Sequence, residues 1–273
     1  MRIILIVFLG LASFFISVST ALYAHAENAA PPDFSPLAFD TVLQPAGIID
    51  PLRIRFTDGR IVHLAGLYVP DLTPYDPGEN GLKIMAWLEE STKNKQIRIY
   101  HSKDRDKGRK NRMGNQIAHL QIRDSEIWIQ AYILEQGWAR FLPDPDQAAM
   151  APQMIAIEDK ARAQGAGLWA DKTLLYTPET VKTVRDRWAI VEGRIYSSAM
   201  VNNVTYLNFE PDWRTDFTIG IPAPIRRLLG QQGVNLQNLS GRKIRVRGWV
   251  DDYNGPYIEL THTLWLELLP EDP

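Results

Sequence analysis

Leu52, Ile54 and Phe56 alternate with Arg53 and Arg55, and the alternation stops at Thr57-Asp58-Gly59-Arg60 before apolar residues return at Ile61, Val62 and Leu64. A period of two places one side of such a run in a core and the other in water. Asp-Gly between two such runs reverses the chain, because glycine accepts positive φ without steric cost. Residues 48–71 are therefore predicted to be a half-buried hairpin. Val69-Pro70-Asp71 ends it, since proline has no N–H for a ladder. Further strands are expected on either side of it.

The flanking sequence supplies them. Residues 41–46 read as a preceding strand, 96–101 and 117–122 as later ones. Residues 81–92 carry Leu82, Met85, Ala86 and Leu88 at helical spacing. Residues 127–136 form a second helix closed by Gly137. A third starts at Pro152, lines Met154, Ile157 and Ala161 along one face, and sets Glu158 to pair with Arg162. Residues 102–114, dense in Lys, Arg and Asp, are a solvated loop. After a polar connector at 172–187 the pattern turns to strands again, at 188–196, 204–209 and 217–221. A helix with Ile225, Leu228 and Leu229 follows at 222–232, then strands at 243–250 and 256–268. Three strands, a helix and two strands is the order of an OB fold. The predicted class is mostly β with helices (α+β), as two OB-fold-like barrels at 41–171 and 188–269, the first with three helices.

The 273-residue chain carries a formal charge of −2 and no cysteine, which excludes disulfide staples and thiolate metal sites. No global positive field draws nucleic acid to it. Arg2, an apolar run over 3–18 and Ala24-His25-Ala26 read as a signal peptide over 1–26. An exposed leader at 27–40 would follow. This predicts a periplasmic or secreted protein with no membrane segment after cleavage. An uncleaved N-terminal membrane anchor is the alternative.

Four segments then fall in a telling order. They are Asp50-Pro51-Leu52-Arg53, the run from His63 to Asp71, Glu135-Gln136-Gly137-Trp138-Ala139-Arg140, and Gly167-Leu168-Trp169. Together they resemble the thermonuclease (staphylococcal nuclease-like) family over about residues 41–171. The resemblance implies a five-stranded OB barrel with helices and calcium-dependent phosphodiester cleavage. It also places the family's chemistry on this chain. The calcium-binding aspartates fall on Leu52 and Tyr68, with the threonine beside the second on Val69. The general-base glutamate falls on Asp71, and the phosphate-holding arginines fall on His63 and Asn115. One conservative replacement, at Asp71, stands against four losses, so the expectation is a degraded site with no metal and no other cofactor. Asp71, Asp50, His63 and Arg112 (with Arg109) remain as candidates for a rearranged calcium-dependent nuclease. His63, His101 and His119 lie on different strands without metal-ligand spacing.

In the second half, Ile244, Val246 and Val250 point one way along a strand while Lys243, Arg245, Arg247 and Trp249 point the other. Cations with an aromatic on one outer face suit a nucleic-acid backbone and stacked bases, and Tyr206, Trp213 and Arg214 extend the set. Asp212, Asp216, Asp251 and Asp252 dilute it. Residues 204–209 and 245–249 resemble the OB-like domain found behind thermonuclease domains in exported bacterial proteins. The predicted role is binding or scaffolding toward nucleic acid or protein, with glycan as a further partner for exposed aromatics. A secreted calcium-dependent nuclease is the alternative.

Overall fold

The strand before the hairpin is longer than its sequence suggested, running as β1 (Ala38–Leu43) and β2 (Pro45–Asp50) with only Gln44 between them. The computed structural model describes residues 31–212 and 214–270. The signal peptide, the first part of the leader and Trp213 lie outside the described residues. The hairpin forms as β3 (Arg53–Phe56) and β4 (Ile61–Leu64), with Gly59 at φ 88° in the turn. Then come β5 (Leu67–Tyr68), α1 (Gly78–Thr92), β6 (Ile97–His101), β7 (Gln116–Ile122), α2 (Ile129–Glu135), β8 (Arg140–Phe141) and α3 (Ala151–Ala163). Helix α1 starts three residues before its expected position because the Asp76 carboxylate accepts the Gly78 N–H at 2.9 Å. Part of the leader packs on the core, although Phe39 and Asp40 at its end are exposed. Phe34 stacks on Tyr100 at 4.3 Å, and Leu37 is buried in the core.

The second half comprises β9 (Leu175–Tyr176), β10 (Arg187–Arg194), β11 (Ser197–Val201), β12 (Val204–Asn208), β13 (Thr218–Ile221), α4 (Ala223–Gln231), β14 (Lys243–Asp252), β15 (Pro256–Glu259) and β16 (Leu266–Leu268). Strand β11 was not expected, since its residues are exposed or half-buried and carry no apolar alternation.

The first sheet runs β1-β6-β7-β4-β3-β2, and β4 pairs with β7 in parallel. The second runs β11-β12-β13-β15-β14-β10-β9, with β16 on β14 and β13 parallel to β15. Stripped of β9 and β16, the two orders are the same. A split first strand supplies both ends, and the third and fifth strands pair in parallel. The expected barrels are corrected in one respect: neither hydrogen-bonded ladder closes on itself. In the first sheet the two edges are joined covalently through Gln44, so the ladder must curl for one run to serve both. Among the described residues no helix is long and apolar enough to cross a membrane.

Each sheet encloses its own core. Ile54, Val62, Ile99 and Leu120 sit in the first, Val191, Ile219, Ile244 and Val246 in the second. The expected connector is folded: β9 pairs in parallel with β10, and Val181 is buried in the second core. A third, smaller cluster joins Ala161 of α3 and Trp169 to Ile190 of β10. Here the outer side of β10 and β14 lies against α3. Glu158, buried on α3, accepts the Phe141 N–H at 2.7 Å and pairs with Arg247 at 2.5 Å. Its expected partner Arg162 pairs with Asp159 instead.

Candidate functional site

The positions that would carry phosphodiester chemistry are set by β2, β3, β4 and the turn after β5. Leu52, where the resemblance puts the first calcium-binding aspartate, and Val69, where it puts the threonine beside the second, are core residues at 8% and 2% exposure. The alternation that folds the hairpin is what buries Leu52, and its carbonyl accepts the Leu64 N–H at 2.8 Å. Asp50 has both carboxylate oxygens engaged, one by the Leu52 N–H at 2.9 Å and the other by Arg53 Nε at 2.5 Å. His63 stands opposite Arg53 in register. Burial lowers its pKa and the Arg53 charge lowers it further, against an opposing pull from Asp50. The fold thus gathers Asp50, Arg53 and His63 into one cluster, but in a self-neutralised arrangement.

Asp71 and Arg112 belong to other surroundings. Asp71 is exposed, in a turn packed so closely on Gly78 that a Cβ there would lie 2.6 Å from the Asp71 Cβ. Arg112 is exposed on the loop after β6. Asn115, in place of the second arginine, braces that loop. Its N–H donates to the Asn111 side chain at 3.0 Å, and its carbonyl accepts the Asn111 N–H at the same distance. Tyr68 pairs across β5 and β8 with Arg140. His101 Nδ1 lies 2.8 Å from the Ile117 carbonyl oxygen, and His119 packs edge-on against Trp128. Among the described residues, no three His, Asp or Glu side chains come together as a metal site would require.

Arg140 was not among the sequence candidates. It is buried at 4% exposure and its guanidinium lies over the Trp169 ring at 5.7 Å. Burial lowers its pKa, opposed by the charges of Glu158, Tyr68, Tyr176 and Asp71. A cation inside the otherwise apolar run from Trp138 to Leu142 is the signal that marks it.

The cationic face of β14 is corrected by the structure. Arg245 and Arg247 do point away from the second core, as the alternation required, but α3 covers them. Arg247 is 0% exposed, held by Glu158 and Glu267, with its guanidinium over Phe141. Arg245 is met by Glu192, Asp159 and Glu267 at 2.7–2.9 Å. Neither faces an open groove. Lys243 is half-buried, Trp249 is exposed at the far end, and Tyr206 lies on β12, with two strands between it and β14. The five residues do not form one patch.

Residues 63–171 match the family model described as staphylococcal nuclease homologue. The match starts on β4 and so leaves out β1 to β3, which complete the same sheet. No curated protein matches the chain at a significant level.

Proposed function

From the premise that residues 63–171 form a staphylococcal nuclease homologue domain, we propose that this protein is an exported relative that does not hydrolyse phosphodiesters and serves as a binding scaffold. One observation carries the reading: Leu52, at the position of the first calcium-binding aspartate, is part of the hydrophobic core and brings hydrocarbon where a hard cation would need a carboxylate. Calcium takes about six to eight oxygen ligands. The nearby Asp50, whose oxygens accept from the Leu52 N–H and Arg53, is a single carboxylate beside a guanidinium that competes with a cation. His63 and Asn115 leave no guanidinium for the charge that builds on a phosphoryl group, and each missing stabiliser costs about a hundred- to thousand-fold in rate. Export rests on the signal-peptide pattern of residues 1–26. A protein partner suits the scaffold better than nucleic acid, because Arg245 and Arg247 are neutralised inside the molecule.

A second reading keeps one observation in its favour. Asp71, at the general-base position, is exposed and lies within the field of the buried Arg140. Purified protein on plasmid and single-stranded DNA, with calcium and with chelator, separates the two. The scaffold reading expects no cleavage above background in either condition. Chelator-sensitive cleavage that disappears in Asp71→Ala would establish a rearranged nuclease instead.

A further inference from the structure

Two hairpin tips of the second sheet converge on the outer face of β12 and β13. One is the turn between β11 and β12, where Asn202 and Asn203 adopt φ of 48° and 70°. The other joins β14 to β15 through Tyr253-Asn254-Gly255, with Asn254 and Gly255 at φ 53° and 101°. The second turn is pinned, because the Tyr253 N–H donates to the Gly255 carbonyl at 2.9 Å. Between the tips and the strands lies a cleft of about 480 Å³, within the range of about 300–1,000 Å³ typical of ligand sites.

Its walls have a distinct chemistry. Tyr206, Tyr253 and Tyr257 supply the aromatic surface, and Asn202, Asn208 and Asn254 supply amides. Tyr253 is 60% exposed and meets Tyr257 edge-on at 5.5 Å. The floor depends on a glycine. A Cβ on Gly220 would fall 1.8 Å from the Tyr257 hydroxyl, so the phenol lies across the β13 backbone where any side chain would lift it. Burial, with Glu259, Tyr206, Tyr253 and Asp251 adding to it, pushes the Tyr257 phenol up to about 12. The Tyr257 ring is therefore a neutral hydrogen-bonding group at ordinary pH. Among the described lining residues there is no lysine or arginine, and Asp251 and Glu259 stand beside the cleft.

We propose that this cleft is a binding site for a neutral oligosaccharide. Sugar rings offer apolar C–H faces that lie on aromatic rings and hydroxyls that both donate to and accept from amides, and the walls present those two complements. The strand-two and strand-three face with its two flanking loops is where OB folds hold extended ligands, oligosaccharides among them. A nucleic-acid strand fits the rings but not the charge, since phosphate binding depends on cations that the lining lacks. The turns are fixed in advance, which lowers the ordering cost of binding. This inference goes beyond the reading of the first sheet, because a chain that cut DNA there would present the same cleft here.

The test is calorimetric titration of the full chain without its signal segment. The probes are maltohexaose, cellohexaose and chitohexaose, with a thymidine homopolymer as the anionic competitor. The expectation is binding of at least one neutral hexamer with an affinity indifferent to salt. Tyr253→Ala should weaken it by about tenfold, the loss of one stacking ring. Gly220→Ala should weaken it further by displacing Tyr257. Should the glycine variant fail to fold, Tyr253→Ala decides alone, since that ring is largely in solvent. The proposal is overturned if no hexamer binds at millimolar concentration, or if binding is unchanged in Tyr253→Ala. Salt-dependent binding of the thymidine homopolymer that Tyr253→Ala abolishes would also overturn it.

Discussion

The two sheets of this molecule share a strand order and differ in what lies against the outer face of the fourth strand. In the first sheet that strand is β6, whose Arg98 reaches Gln121 at 3.0 Å and Glu126 at 3.6 Å from a half-exposed position. In the second it is β14, whose Arg247 is sealed beneath α3. Alternation sends both arginines outward. Only the first meets water, because the second sheet's outward face is where the N-terminal half docks. One topological slot can thus hold a solvated surface cation or a buried interfacial one, and the packing partner decides which. The same comparison holds for chemistry. The first sheet buries Leu52 where the resemblance implies a carboxylate, while the second presents a preformed aromatic cleft that no motif announced.

The sharpest way to break the comparison is to remove one buried charge. Arg247→Ala should destabilise the chain by about 3–5 kcal/mol, because it removes the cation in contact with the buried Glu158, as read from urea denaturation. The double variant Arg247→Met with Glu158→Gln should recover much of that loss. Next in size is Leu52→Asp, which restores the family's carboxylate. It should cost about 2–4 kcal/mol from lost apolar burial and a poorly solvated acid. It should also bring no calcium-dependent cleavage, and gain of such cleavage would mean that the cleft is open after all.

A pH titration sharpens the contrast between the halves. Burial pushes the His119 imidazole down to about 3 from an ordinary 6.5. Below pH 6.5 the unfolded chain takes up a proton that the folded one refuses. Stability therefore falls on acidification, with a slope from this group of up to about 1.4 kcal/mol per pH unit. His119→Leu should flatten the profile between the ordinary value and the onset of carboxylate protonation. His262, in the second half, is only half-buried; burial lowers its pKa too, against the pull of Asp144 and Asp146, so its replacement should flatten the profile less. The smallest effect is expected at Arg98→Ala, under about 1 kcal/mol, as for other solvent-accessible pairs. A loss comparable to that of Arg247→Ala would erase the distinction drawn here.

Much of the architecture was legible because it is written in local periodicity. Asp58-Gly59, the alternations at 52–56 and 243–250 and the glycine at 137 report on neighbouring residues, and the elements form close to those positions. The burial of Leu52 was legible too, since it follows from its place in an alternation. What sequence could not convey was the fate of an outward-facing side chain. Arg245 and Arg247 obey the pattern of a surface stripe, and their burial depends on a helix some 90 residues earlier in the chain, with Arg245 and Asp159 86 residues apart. The tyrosine cleft was hidden for the same reason. Tyr206 was singled out with β14, whereas its actual neighbours Tyr253 and Tyr257 arrive across β13 and β15.

Glu158 has one more consequence. A carboxylate shut between two greasy layers tolerates a single alignment of the surfaces that enclose it. Sliding β14 by one side-chain repeat would bring Trp249 or Arg245 to the place of Arg247, and in the first case the anion would face an indole. The pair therefore works as a key that admits one seating and rejects its near neighbours. The tyrosine-lined opening is accordingly held at a preset bearing to the N-terminal half, and anything that touched both would meet a fixed angle, not a hinge.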